Sequence, residues 1–193
     1  MSGTPDRPIE HPFQYDNTFV RETLHEGTTR LKIGLRGGQS TVFRVLGGLL
    51  RPPYRILYLL HTSPIGSALG RYESPDLAAE DVEFFSDTFG CFVAEDARHD
   101  VWLHSMSDGG TVVIDRYNMV YVYGPLEDAS RLLKKGGVQE VAGWAAPQVP
   151  YPHALHYHRE FNDLEQKLLT EFSWIRKQLT PDDVQFWSGP GAS

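Results

Sequence analysis

The chain holds a single cysteine, Cys91. One thiol closes no internal disulfide, so a reducing compartment is expected. Its neighbours Phe89-Gly90 and Phe92-Val93 suit a small buried hydrophobe better than a nucleophile. Basic runs are equally scarce. None exceeds Lys134-Lys135, and the formal net charge of −7 opposes attraction to phosphate backbones or anionic lipid. No nucleic acid and no membrane is therefore expected as a partner. The longest apolar stretch, Ile56 to Leu60, is far shorter than the roughly 20 residues a membrane helix needs. Met1 to Pro12 is polar, with prolines and no apolar run, which argues against a secretory signal. A cytoplasmic location is the expectation.

Specific catalytic signatures are missing too. Neither His-Glu-x-x-His nor Cys-x-x-Cys occurs. Gly66-Ser67-Ala68-Leu69-Gly70 misses the Gly-x-Ser-x-Gly spacing of a serine nucleophile. Arg36-Gly37-Gly38-Gln39-Ser40-Thr41 offers glycines beside hydroxyls but lacks the Gly-Lys-Ser/Thr ending of a phosphate loop, and turn chemistry explains its glycines. A non-enzymatic binding or interaction domain, with a protein partner or small ligand, is the first expectation. No cofactor is identified.

What is present is an ordinary globular composition. The 193 residues are 40% apolar and 22% charged, which fits one domain over 13–187 between a disordered leader (1–12) and a disordered tail (188–193). Aromatics are generous at 12%, with four Trp, which implies a thick core, a pocket or an interface.

The pattern reads as an α+β fold: a mainly antiparallel sheet of about six strands, covered by helices. Thr29 to Leu35 alternates as a half-buried strand, and Arg55 to Thr62 is a second. Ser40 to Leu46 is ambiguous, with Val42, Phe43 and Val45 favouring strand. Ser74-Pro75-Asp76 opens a helix through Phe85 and Phe89 that Gly90 stops. A meander over 100–124 follows. Its two-residue Tyr117-Asn118 turn pairs Ile114 with Tyr121 and Val112 with Tyr123. Leu126 to Lys135 is a helix stopped by Gly136. The order of strands then helix occurs twice, without residue-level similarity. Phe161, Leu164, Leu168, Phe172, Ile175 and Leu179 average 3.6 residues apart and predict a long C-terminal helix.

Two sets of residues are candidates for a site. The first contains ligand- or partner-binding residues. Trp102 and His104 share a strand face with Met106, as the floor of a pocket. Trp144 and Tyr151 lie in or beside an irregular connection from Val138 to Pro152, and Tyr157 precedes the last helix. That connection and the helix are expected to form an interface, with a homodimer as one form. The second set is a histidine cluster. His153, His156 and His158 crowd into six residues, and imidazole both titrates near neutral pH and ligates metals. No regular element presents all three together. On a helix His156, Glu160 and Asp163 do share one face and could hold a divalent metal or a proton, the basis of an alternative as a metal-assisted, hydrolase-like enzyme. Lys167 continues that face as an ion-pair partner, which suits a solvated flank equally well. Asp115 reads as a strand-edge carboxylate paired with Arg55 or Arg116.

Overall fold

Alternation of apolar and polar residues builds most of this molecule, and it builds more strand than the sequence pattern shows. The computed structural model describes residues 14–25, 27–149, 155, 157–181 and 183. The expected leader and tail lie outside the described residues. In chain order the elements are β1 (Thr18–Thr23), β2 (Thr29–Gly34), α1 (Gln39–Gly47), β3 (Tyr54–Leu60), β4 (Gly70–Glu73), α2 (Ala79–Glu95), β5 (His99–Ser105), β6 (Thr111–Ile114), β7 (Met119–Tyr123), α3 (Leu126–Lys135), β8 (Gln139–Glu140), α4 (Asn162–Glu171) and β9 (Ile175–Lys177).

The fold is α+β, as expected. Among the described residues its sheet has nine strands, in the order β8-β1-β2-β7-β6-β5-β3-β4-β9. It is mixed: β8 runs parallel to β1, and the other described pairings are antiparallel. The four α-helices among the described residues cover one face. Phe43 and Leu46 of α1, Phe85, Phe89 and Phe92 of α2, Ala129 and Leu133 of α3 and Leu168 of α4 share one core with inward strand residues such as Ile33, Tyr58, Val101 and Val120. Each such large apolar side chain, once buried, contributes roughly 1.5–3 kcal/mol. Among the described residues no helix is long and apolar enough to cross a membrane.

The structure corrects several expectations. Ser40 to Leu46 is helical, because Gln39, Phe43, Leu46 and Gly47 face the core at helical spacing. Burial there outweighs the strand preference of two valines. The helix after Ser74 begins only at Ala79, where the Asp81 carboxylate accepts from the Ala78 N–H at 2.8 Å. Ser74 instead accepts the Ile56 N–H within the sheet. Gly90 does not stop α2, which runs on to Glu95 and turns Cys91 outward, exposed rather than buried. The β6–β7 turn spans four residues, so Val113 pairs with Tyr121 and Ile114 with Val120. That slip of one residue moves every side chain to the other face. Val120 and Val122 join Val112 and Ile114 in the helix-side core, while Val113 and Tyr121 face the opposite way.

The long C-terminal helix is the largest correction. Helix α4 ends at Glu171, Phe172 is extended, and Ile175–Lys177 forms the edge strand β9 on β4. The Trp174 indole N–H donates to the Leu168 carbonyl at 2.8 Å, satisfying an end group of the helix. Its ring packs on Phe172, Tyr58 and Tyr72. That aromatic contact diverts the chain although the 3.6-residue period runs on.

Candidate functional site

Among the described residues, the second face of the sheet carries no α-helix. Part of it is covered by chain segments instead. Tyr15, Val113, Met119, Tyr121 and Val149 form a small separate cluster there, with Trp102, Tyr117, Tyr123 and Leu155 packed around it. Gly34 permits this cover, since a Cβ at that position would meet Pro147 Cβ at 2.6 Å and Tyr15 Cβ at 2.8 Å.

Beside the cover, over β3, β4 and β5, lies a groove of about 660 Å³. Arg55 and Leu57 come from β3, Arg71 and Glu73 from β4, Trp102 and His104 from β5, and Met106 and Thr111 from the next turn and strand. Thr180 and Asp183 form the wall beyond β9. The strand period of two puts these side chains on one face. His104 is fixed by a 2.9 Å hydrogen bond between its Nδ1 and Thr111 Oγ1. Leu57, Trp102 and the 44% exposed Met106 make the floor apolar.

The groove's charges are matched. Arg55 pairs with Asp76 at 2.7 Å. Arg71 bridges Glu73 at 2.9 Å and Asp183 at 2.7 Å. Lys177 reaches Glu73 at 2.7 Å. Hydrogen bonds from Lys177 and Arg71 hold the Glu73 carboxyl below its ordinary pKa. Among the described residues, three cations thus meet three carboxylates and leave the groove lining without net charge. A hollow of about 260 Å³ between α1 and α3 is smaller, and among the described residues no titratable side chain lines it.

Further along the same face two carboxylates sit in contrasting surroundings. Asp100 accepts from the Arg116 N–H at 2.8 Å and lies 2.8 Å from His61 Nε2. Burial alone would raise its pKa, but the hydrogen bond and charge of His61, with the charge of Arg116, pull it below the usual range. Asp115 behaves oppositely. Burial and the Asp100 charge push it up to about 7, despite hydrogen bonds from the Met119 and Tyr117 N–H groups and the Tyr121 hydroxyl. Its expected partners are engaged elsewhere, Arg55 with Asp76 and Arg116 with Asp100.

A third charged cluster is closed to water. Arg98 grips Asp96 with two bonds, of 2.7 and 2.9 Å, and Glu165 with one of 2.6 Å, all three side chains fully buried. Arg98 also donates to the His158 carbonyl at 3.0 Å, and the His158 N–H donates to Asp96 at 2.8 Å. This cluster pins 158–165 onto the α2–β5 junction. It is a clasp, satisfied on every side. Sequence reasoning overlooks both Arg98 and Asp100. The available signal is the run Glu95-Asp96-Ala97-Arg98-His99-Asp100, where five of six residues titrate at a helix-to-strand junction.

Of the residues named from sequence, Trp102 and His104 come together in the groove with Met106. Trp144 does not join them. It is 92% exposed in the short turn Gly143–Ala145, which packs against β1. Strands β2, β7 and β6 separate β1 from β5, so the two sites lie about 19 Å apart across the sheet. Tyr157 is exposed and near Tyr117, which its charge influences. Tyr151, His153 and His156 lie outside the described residues. Glu160 and Asp163 are exposed, the former in a short turn and the latter in α4. His158 precedes that turn. Among the described residues no group of three His, Cys, Asp or Glu is placed to hold a metal. Comparison of the chain with protein-family models, with curated proteins and with solved structures found no match.

Proposed function

We propose that this protein is a binding module whose helix-free sheet face receives an extended, uncharged segment of a partner protein bearing an aromatic or large aliphatic residue. The observation that carries the reading is the groove floored by Leu57, Trp102 and Met106 and walled by fully paired charges. A charged ligand would have to break those pairs, while an apolar side chain removes floor surface from water. The volume of about 660 Å³ falls in the range of ligand sites. Tryptophan is enriched among the residues that carry most of an interface's binding energy.

Displayed peptides panned against the full chain test the reading. The selected peptides carry Trp, Phe, Leu or Met and few charges. Trp102→Ala weakens them by more than about tenfold, as expected of a tryptophan anchor. Because Trp102 also supports the covered cluster, Met106→Glu is the second variant. It places a charge on the exposed floor and gives a similar loss in a protein with unchanged circular dichroism. Peptides that bind both variants as well as the parent would sink the proposal.

A metal-assisted, hydrolase-like enzyme using the 153–163 segment is a second reading. One observation favours it: His158 Nε2 is buried and has no hydrogen-bond partner among the described residues. Elemental analysis of the purified full chain decides the matter. A stoichiometric metal whose removal lowers the melting temperature supports this reading. Metal-free protein with no shift on adding zinc or manganese removes it.

A further inference from the structure

Two rows of side chains run across the strands beneath the groove. Leu57 and Trp102 are register partners in an apolar row. Arg55, His104 and Thr111 make the next row on the same face, and it is polar. Successive rows on one face lie two residues apart along a strand, about 6.8 Å. An extended partner segment repeats with the same spacing. A residue seated over Trp102 therefore places the side chain two positions away over His104.

Most polar groups of the groove are engaged with one another. Arg55 donates to Asp76, Arg71 to Glu73 and Asp183, and the Thr180 hydroxyl to Asp183. His104 differs. Its Nδ1 lies 2.9 Å from Thr111 Oγ1, while its Nε2 meets no hydrogen-bond partner among the described residues and is not a buried atom. The Thr111 hydroxyl fixes the tautomer. Thr111 is 9% exposed, and its hydroxyl has no other acceptor among the described residues. If Nδ1–H donated, the hydroxyl hydrogen would stay unpaired in a nearly closed position, which is costly. The hydroxyl therefore donates to Nδ1, and the hydrogen of the neutral imidazole sits on Nε2. Nε2 is at the end of the ring far from the backbone, so this N–H faces the groove that His104 lines.

We infer that His104 selects the partner segment: its Nε2–H donates to the side-chain carbonyl of an Asn or Gln placed two residues from the aromatic or aliphatic anchor. The inference rests on the groove being the binding site, and it names what that site reads. An aliphatic residue at that position would close over the N–H and leave it unpaired. A carboxylate would bring a charge into a lining whose described charges are paired. A few fixed polar groups in an apolar site set orientation and specificity in this way.

The tightest displayed binder, synthesised with Gln, Leu or Glu two residues from its anchor on each side in turn, tests this by titration against the full chain. On one side the Gln peptide should bind about tenfold more tightly than the Leu peptide, the size of one hydrogen bond. His104→Phe keeps a ring in place and should erase that preference while leaving the Leu peptide's affinity unchanged. Thr111→Val, which removes only the anchor of the ring, is the second variant and should reduce the preference to about twofold. Nitrogen NMR of histidine-labelled protein should show the His104 hydrogen on Nε2 in the parent. Peptides that bind and are weakened by Met106→Glu, yet show no preference for Gln, overturn the role of His104 and leave the groove reading standing. A preference for Glu over Gln, or a hydrogen found on Nδ1, overturns the neutral acceptor. Failure of every displayed peptide to bind the parent removes the groove reading and this inference with it.

Discussion

Asp115 and His99 pull stability in opposite directions with pH. Asp115 has its folded pKa raised to about 7, well above that of a free carboxyl. Folding therefore favours its protonated form, and a penalty grows as pH rises from about 4 to 7 and is complete above that. His99 is fully buried, with its pKa lowered to about 4. Its penalty grows as pH falls below about 6.5 and is complete near pH 4, because the unfolded chain takes up a proton that the folded one refuses. Asp115→Asn keeps an oxygen for the Tyr117 and Met119 N–H groups and removes only the charge. We expect it to be stabilising by roughly 1–3 kcal/mol at pH 8 and close to neutral at pH 4. Urea unfolding at the two pH values checks this. Equal destabilisation at both would show that Asp115 sits in the fold as an ordinary ionised carboxylate.

At the level of elements, α4 owes its position to one guanidinium. Arg98 holds Asp96 beside α2 and Glu165 in α4, and no water reaches the three. Removing one member of such a set leaves buried carboxylates uncompensated, at a cost of about 3–5 kcal/mol. Arg98→Met should lower the urea midpoint accordingly, and amide exchange should accelerate first in 158–171, ahead of the β5–β7 meander. Uniform exchange across both would contradict the clasp. This clasp also shows what local pattern conveys. Strands β2, β3, β5, β6 and β7 and helices α2 and α3 are legible because their period is complete within a few residues. β1, β4, β8 and β9 are not. Two-residue β8 has no period at all, and β9 exists because β4 offers it hydrogen bonds. The α4 stripe runs on in the sequence past Phe172, but the chain turns there because the Trp174 indole finds the Leu168 carbonyl. Half of the groove was visible, as Trp102, His104 and Met106 share one strand face. The wall was not, since Asp183 lies 112 residues from Arg71 and reaches it only after β9 has paired with β4.

For the whole molecule the decisive asymmetry is between the two sheet faces. One carries four helices and the main core. The other is covered by chain segments over β2, β6 and β7 and left grooved over β3, β4 and β5. On the proposed reading, the groove on that face, apolar at its floor and with its described charges paired, receives a segment of another chain. Amide mapping with the selected aromatic peptide on isotope-labelled full chain tests this most directly. The account predicts that the largest shifts fall on 55–57, 71–73 and 102–106, with 139–145 unmoved. Shifts concentrated around Trp144, or on the helix layer, would contradict it.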